Sequence, residues 1–409
     1  MKTKPILLAV LSVAAVVVLS VLSVALWGEK PEKTAVHEVV IPDAQMTPAQ
    51  IARSNDIPLK PVLKALGVDT AGARTATIAG LGISAEDAAA KIKRSLIEYE
   101  EHLSKNWIKI FIKFGLWFLI LPIPFVLMFR KRLSPSRRRL LAGLGVVIFG
   151  VALGADPSPM GTVKDAVFLI SAHGTVFPPR IIALGIFLLT VVVANKFICS
   201  WGCQFGLLQE FLFRLNRRKT DRRGQSKQYK PPFWLSNSIR VAVFAAFTAV
   251  GVLWAFDFIG YVDPFKIFNP AVMTVAGIGF VLIVLALSLF VYRPWCHFAC
   301  PFGLVSWFFE KLAIFRIKVD YNKCIACDAC AVTCPSTVMS AILKKDKRTV
   351  PDCFACGVCI ETCPTDAVSF TASRKPQGSY ELAQGTTKER RKELLVMYGD
   401  QRKVTPRDS

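Results

Sequence analysis

Eight of the twelve cysteines in this chain form two copies of one run, and no other feature restricts its fold as strongly. Three thiolates on a tight turn can wrap one corner of a cubane, and in two-cluster ferredoxins the fourth cysteine of each run ligates the other cluster. In both copies a proline follows the fourth cysteine. The runs are Cys324-x2-Cys327-x2-Cys330-x3-Cys334 and Cys353-x2-Cys356-x2-Cys359-x3-Cys363.

The spacing predicts two [4Fe-4S] clusters within residues 316–370, in an α+β domain like that of bacterial dicluster ferredoxins. Structural zinc on paired C-x2-C knuckles is the alternative, but zinc needs neither a third cysteine at the same spacing nor the prolines. The predicted ligands of one cluster are Cys324, Cys327, Cys330 and Cys363, and those of the other are Cys353, Cys356, Cys359 and Cys334.

The distribution of apolar and basic residues predicts an α-helical membrane protein. Of the 409 residues, 53% are hydrophobic and the mean hydropathy is +0.43, which is too apolar for a soluble chain of this length. The net charge is +22, and basic residues are concentrated in two loops, at 130–139 and 214–230, between apolar segments. This is the positive-inside pattern. Because no nucleic-acid recognition motif accompanies the charge, we expect membrane lipid and no nucleic acid as partners.

Six apolar segments predict about six transmembrane helices. The first follows two lysines and is longer than the apolar core of a signal peptide, so residues 1–27 are predicted to be a retained signal anchor. With the basic loops inside, six spans place both termini and the cluster domain on the cytoplasmic side of a bacterial inner membrane. The segments are Pro5–Trp27, Ile108–Phe129, Leu140–Ala155, Ile181–Ile198, Ile239–Phe256 and Ala271–Tyr292.

Residues 28–105 are predicted to form a helical domain outside the cytoplasm. Short amphipathic helices are expected near Thr47 and Pro61, and a longer one at Ala85–His102. No ligand set is visible in this segment, which favours a packing or docking role.

Residues 106–315 are predicted to be the membrane domain. Its loops at Asp156–Arg180 and Asp257–Pro270 carry few positive charges and are therefore expected to face outward. Residues 371–409 are predicted to be a polar, basic and loosely ordered tail.

The remaining four cysteines lie in two matched stretches, Cys199-Ser-Trp-Gly-Cys203-Gln-Phe-Gly-Leu and Cys296-His-Phe-Ala-Cys300-Pro-Phe-Gly-Leu. The match extends to Lys196 and Arg293, each three residues before the first cysteine. It predicts a tandem helix-pair repeat whose twofold axis runs along the membrane normal. Because residues i and i+4 share one face of a helix, each pair is predicted to supply two ligands to one site at the inner membrane edge.

This membrane-edge site is interpreted as a further iron–sulfur or other metal centre, with a redox-active disulfide or inert buried thiols as alternatives. Lys196 and Arg293 either offset the negative charge of a cubane or extend toward the membrane surface as ordinary helix-end residues. The four histidines do not pair across a span and no C-x-x-C-H occurs, so no haem is expected. No dinucleotide or phosphate-binding fingerprint is present, and the sequence indicates no catalytic residue.

Residues 108–370 resemble the membrane polyferredoxins of the NapH type, a module that also forms the C-terminal part of NosR-type proteins. The resemblance rests on the two C-x3-C sites and the eight-cysteine run. In the family a proline follows each C-x3-C pair, as Pro301 does here, whereas Gln204 follows the first pair. The resemblance implies an electron-transfer subunit of quinol dehydrogenase type, which connects the quinone pool or a cytoplasmic donor with a respiratory partner protein.

Two other functions are compatible with these residues. An accessory polyferredoxin of oxidase assembly would reduce a metal ion, and a membrane redox sensor would report the state of its clusters. A metal handler is expected to have outer segments rich in methionine or histidine, yet residues 28–105 contain only Met46, His37 and His102 of those types. Electron transfer is therefore the preferred hypothesis.

Overall fold

The computed structural model describes residues 3–27, 39–40, 43–217, 225, 227–345, 352–372, 380–385, 389, 393–394 and 396–397. This part of the chain is mostly helical, with one two-stranded sheet. Residues 28–38 of the predicted outer domain, and most of the predicted tail at 371–409, lie outside the described residues.

The N-terminal part contains four helices: α1 (Thr3–Trp27), α2 (Pro48–Ser54), α3 (Leu59–Leu66) and α4 (Ala85–Leu103). Helix α2 begins at a capping box in which Thr47 and Gln50 satisfy each other's backbone N–H groups. The small bundle of α2, α3 and α4 packs around Ile51, Val62 and Ile92, which are fully buried. The three helices expected between Thr47 and His102 are therefore present.

Five helices follow: α5 (Trp107–Ile120), α6 (Pro122–Phe129), α7 (Pro135–Gly145), α8 (Pro159–His173) and α9 (Pro178–Ala194). Helix α6 resumes directly after α5, at Pro122, and α7 continues as a π-helix over Val146–Ala152. Arg180 of α9 contacts Glu101 of α4 at 3.3 Å. This ion pair fastens the small bundle of α2, α3 and α4 to the membrane domain.

Helix α8 corrects the prediction of an outer loop at Asp156–Arg180. Its Met160 and Val163 are buried in the membrane-domain core. Its Lys164 pairs with Asp165 at 2.6 Å and with Asp257 at 2.7 Å. Because Lys164 is paired with two carboxylates, a helix that carries this charge can be buried.

The described residues of the membrane domain include seven more helices: α10 (Phe197–Trp201), α11 (Gln204–Leu215), α12 (Phe233–Trp254), α13 (Phe258–Tyr261), α14 (Val275–Leu287), α15 (Pro294–Phe298) and α16 (Pro301–Phe309). Single turns of 3₁₀-helix occur at Gly72–Arg74, Ala79–Leu81, Pro264–Phe268, Pro270–Val272 and Glu310–Leu312. Two predicted spans, Ile181–Ile198 and Ala271–Tyr292, end earlier than expected, at Ala194 and Leu287.

Three segments of the described chain are long and apolar enough to cross a membrane: Lys4–Trp27, Trp107–Phe129 and Phe233–Trp254, with 24, 23 and 22 residues. Helices α9 and α14 are apolar but have only 17 and 13 residues. The predicted span Leu140–Ala155 corresponds to the second half of α7 and its π-helical continuation. These helices support a membrane protein.

The C-terminal domain is α+β, as predicted. It contains α17 (Ala329–Thr333), α18 (Val338–Lys344), α19 (Val358–Thr362) and α20 (Tyr380–Gln384), with strands β1 (Arg316–Val319) and β2 (Val368–Thr371). The strands pair antiparallel, from Arg316 with Thr371 to Val319 with Val368. Alternate side chains, including Ile317 and Phe370, point into the domain core. The sheet therefore joins the two ends of the eight-cysteine segment.

Candidate iron–sulfur sites

The first pocket of the C-terminal domain, here called the first-run pocket, has about 330 Å³ of empty volume. The chain before α17 folds sharply around it because Ala326 and Asp328 adopt left-handed backbone angles, with φ of 51° and 56°. Its wall contains Cys324, Cys327, Cys330 and Cys363.

The second pocket, here called the second-run pocket, has about 410 Å³ of empty volume and the same construction. Ala355 and Gly357 take the left-handed angles that Ala326 and Asp328 take in the first run. Its wall contains Cys353, Cys356, Cys359 and Cys334. Each pocket thus combines three cysteines of one run with the fourth cysteine of the other, which is the combination that the spacing predicts. The ligand assignment itself stays a prediction.

Several sulfurs of these pockets are buried in the protein. Burial raises the pKa of the thiols of Cys324, Cys330 and Cys359, so a thiolate there requires a positive partner such as iron. At Cys363, the N–H of Ala367 donates to Sγ at 3.2 Å. Such N–H···S contacts tune the reduction potential of a bound cluster.

The membrane-domain cysteines lie across helix breaks, which corrects the prediction that each pair shares one helical face. Cys199 is in α10, while Cys203 immediately precedes α11. Cys296 is in α15, while Cys300 immediately precedes α16. Cys203 and Cys300 have nearly the same backbone angles, φ −77° and ψ 113° against φ −69° and ψ 117°. Gln204 therefore begins its helix as Pro301 does.

These four cysteines, here called the membrane cysteine site, are buried in one core. They lie close enough together that charges on their sulfurs would interact. Among the described residues, no three His, Cys, Asp or Glu side chains are arranged so that they could hold a single metal ion together. In a [4Fe-4S] cluster each thiolate binds a different iron atom, so the four sulfurs are farther apart than the ligands of a single ion.

Two glycines allow the close approach at this site, and the sequence interpretation missed them. A methyl group at Gly206 would lie 2.8 Å from Cys199 O, and one at Gly303 would lie 2.9 Å from Cys296 O. The N–H of Gly303 also donates to Cys300 Sγ at 3.4 Å. The signal was present in the sequence, since each glycine follows the second cysteine of its pair by three residues.

Lys196 and Arg293 are fully buried, so they are not helix-end residues that extend to the membrane surface. Each crosses to the other stretch: Lys196 Nζ donates to Gly303 O at 2.9 Å, and Arg293 Nη1 donates to Cys199 O at 2.5 Å. Arg293 also pairs with Glu210 at 2.9 Å. The two basic residues therefore hold the two cysteine stretches together.

Acidic partners of these basic residues also escaped the sequence interpretation. Asp352, immediately before Cys353, pairs with Lys196 and with Arg240, at 3.1 Å from Arg240 Nη1. Glu310 accepts a hydrogen bond from the N–H of Cys353 at 2.9 Å. These contacts join the second cysteine run directly to the membrane domain. They could not be read from the sequence because their partners are far apart along the chain.

Comparison with known proteins agrees with these sites. A family described as 4Fe-4S binding domain matches twice, at residues 175–223 and 273–321, and one described as 4Fe-4S dicluster domain matches residues 316–364. Together with the apolar helices, these matches support an iron–sulfur membrane polyferredoxin. No solved structure matches the chain.

Three curated proteins illustrate the similarity. The protein named "Putative electron transport protein YccM" of Escherichia coli K12 is 27% identical over 164 residues, which is 37% of this chain and 44% of that protein. The uncharacterized proteins MJ0749 and MJ0750 of Methanocaldococcus jannaschii are 26% and 24% identical, over 36% and 37% of this chain and 54% and 63% of their own lengths. The chain thus spans about half the length of these relatives.

Proposed function

We propose that this chain is an electron-transfer subunit of the cytoplasmic membrane, which passes electrons between the quinone pool or a cytoplasmic donor and a respiratory partner. The observation that carries the proposal is the presence of three sets of four cysteines, two in the C-terminal domain and one in the core of the membrane domain. When bound, [4Fe-4S] clusters supply one-electron transfer. The matches to a 4Fe-4S binding domain include both membrane pairs, which supports a third cluster there.

The residues around the membrane cysteine site would keep it dry and partly charge-balanced. Phe205 and Phe302 are buried in the same core as the four cysteines and exclude water. Arg240 and Arg293 donate to the carbonyl groups of Cys296 and Cys199, at 3.4 and 2.5 Å. Cationic groups this close would favour the negative charge of a thiolate-bound cluster, because electrostatic effects are strong in a low-dielectric interior.

We also propose six membrane crossings and a tandem repeat, with the C-terminal domain in the cytoplasm. Support comes from the basic loops, which contact that domain: Lys131 Nζ donates to Asp366 O at 2.7 Å, and Lys230 Nζ donates to Val332 O at 3.0 Å. The double family match and the equal surroundings of the two cysteine pairs support the repeat. The topology can be tested with a reporter protein that is active only in the cytoplasm, fused at Thr75. Activity of this fusion would overturn the proposed topology.

An apolar groove beside the membrane cysteine site supports a quinone as one partner. The groove lies between α5–α6 and α9 and has about 990 Å³ of empty volume. Trp117 in its wall donates from Nε1 to Gly202 O, at 3.0 Å, in the loop between Cys199 and Cys203. A neighbouring pocket with Lys105 and Arg180 shares Phe114 with the groove. The groove suits an isoprenoid tail, and the pocket suits a polar headgroup.

Anaerobic reduction of the purified full chain tests the proposal. We expect duroquinol, a water-compatible quinol, to bleach the visible absorption of the iron-bound thiolates, and dithionite to bleach it further. Bleaching by dithionite alone would contradict electron exchange with quinol. A colourless preparation that contains zinc instead of iron would contradict the cluster assignment as well.

A further inference from the structure

We infer that the second-run pocket, and not the first-run pocket, exchanges electrons with the membrane cysteine site, and that Phe354 forms the contact between them. The inference rests on the proposed function, because it orders the three centres proposed there. Electrons would pass between the membrane cysteine site and the second-run pocket, and then between the two pockets. Each transfer oxidises one centre by one electron and reduces the next, while no bond forms or breaks and no proton moves.

The walls of the two pockets differ in their origin. The first-run pocket is lined only by residues of the C-terminal domain, between Val319 and Val368. The second-run pocket also includes Tyr292, which belongs to the membrane domain and immediately precedes Arg293. Tyr292 is buried in the same core as the four membrane cysteines. The second-run pocket is therefore the one whose wall includes a membrane-domain residue.

Phe354 lies between Cys353 and Cys356 of the second run, and it contacts residues next to the membrane cysteine site. Its ring stacks on that of His297, with centroids 5.1 Å apart and planes 14° apart, and His297 is bonded to Cys296. Its carbonyl oxygen accepts a hydrogen bond from the hydroxyl of Ser200, the residue after Cys199. One residue of the second run thus touches both stretches of the membrane cysteine site.

The neighbouring backbone reinforces this contact. Trp201 Nε1 donates to Ala355 O at 3.2 Å. The guanidinium of Arg293 and the ammonium of Lys196 lie over the Phe354 ring, at 5.4 and 5.5 Å from its centroid. Cations in this position are attracted by the negative face of the ring and hold it in place. The ring is therefore held by one stacked imidazole and two cations.

The first run provides an internal comparison, since Cys324-Ile325-Ala326-Cys327 corresponds to Cys353-Phe354-Ala355-Cys356. Ile325 occupies the position of Phe354 and, like Phe354, is buried in the wall of its own pocket. Cys327 is exposed at the surface, whereas Cys356 is half-buried. The first-run pocket therefore faces outward, where a soluble partner can reach it.

Electron paramagnetic resonance of the full chain tests this order without any physiological donor. Cys327→Ala leaves the second-run pocket intact, and Cys356→Ala leaves the first-run pocket intact. Each variant is made alone and in combination with Cys199→Ser, which removes the membrane centre. All proteins are reduced with dithionite, and the microwave power saturation of the remaining cluster signal is compared within each pair. We expect the loss of the membrane centre to slow the relaxation of the second-run signal several-fold, and to leave the first-run signal nearly unchanged.

Two kinds of result would overturn the inference or its basis, and they are distinguishable. The order of the centres is contradicted if Cys199→Ser loses iron but the relaxation does not change at the second-run signal alone. This includes a change at the first-run signal, an equal change at both signals, and no change at either. Unchanged iron content in Cys199→Ser contradicts the proposed membrane centre, and with it this order. The remaining signal in each single variant shows whether the C-terminal domain has folded.

Phe354→Ile provides a milder variant, because it gives the second run the same Cys-Ile-Ala-Cys sequence that the first run already accommodates. We expect iron content to stay the same and the relaxation effect of the membrane centre on the second-run signal to weaken. Ile325→Val is the matched control and should change neither. An undiminished relaxation effect in Phe354→Ile would mean that Phe354 does not form the contact.

Discussion

At the scale of single residues, the membrane cysteine site depends on two glycines, which have no side chain, as well as on its cysteines and basic residues. Gly206 and Gly303 leave room for the carbonyl groups of Cys199 and Cys296. Lys196 and Arg293 then fill the space between the two stretches with donors. The sequence predicted the cysteines and both basic residues as one site. It could not predict the roles of Arg240 and Asp352, because only the folded chain brings them to it.

We expect Gly303→Ala to lower the iron content of the full chain by about four atoms, the content of one cubane. The added methyl group would lie 2.9 Å from Cys296 O and 3.3 Å from Arg240 Nη1, so the loop must shift. Overpacking of this kind costs roughly 1–3 kcal/mol. Gly279→Ala is the control, since a methyl group there meets no atom within 4 Å. Equal iron in both variants would contradict the close approach.

We expect Lys196→Met to destabilise the full chain by about 3–5 kcal/mol, because it leaves a buried carboxylate with one partner fewer. Asp352 would retain Arg240 but lose Lys196. Thermal unfolding in detergent measures the change. Lys64→Met is the control, since Lys64 pairs with Glu98 at the surface and such pairs contribute about 0–1 kcal/mol. A melting temperature shared by the two variants would argue against the buried network.

At the scale of elements, the sequence predicted where helices occur better than where they end. The apolar segment Ile181–Ile198 looked continuous because Phe197 and Ile198 are apolar, yet the helix ends at Ala194 and Asn195 has φ of 61°. Arg293 likewise has φ of 48°, an unusual angle for arginine. Its hydrogen bonds to Glu210 and Cys199 O stabilise that angle. Hydropathy contains no information about such tertiary contacts, so the helix end at Ala194 was missed.

The groove between α5–α6 and α9 makes a prediction at the scale of elements. Leu189→Trp would fill part of it, since Leu189 lines the groove and is 62% exposed. We expect the rate of reduction by duroquinol to fall at least several-fold, while reduction by dithionite stays unchanged. Leu253→Trp on α12 is the control, because Leu253 is 68% exposed and lies outside the groove. Equal rates in both variants would contradict a quinone in the groove.

At the scale of the whole molecule, the C-terminal domain and the membrane domain form one packed unit. Arg138 pairs with Glu361 at 3.3 Å, and Arg217 Nη1 donates to Thr333 O at 3.0 Å. The basic loops thus bind the cluster domain, a role that the positive-inside pattern alone does not indicate. The cysteine spacing predicted which four cysteines line each pocket. It could not predict which pocket includes a membrane-domain residue in its wall, because Tyr292 lies far from both runs along the chain.

Iron and acid-labile sulfide counts on the full chain, reconstituted anaerobically, test the central claim that three sets of four cysteines each hold a cluster. We predict about twelve iron atoms in the wild type and about eight in Cys199→Ser, as three and two cubanes require. The double variant Cys199→Ser/Cys296→Ser should also hold about eight, because ligands of one site act as a unit. Counts of about eight in all three proteins would contradict a cluster at the membrane cysteine site.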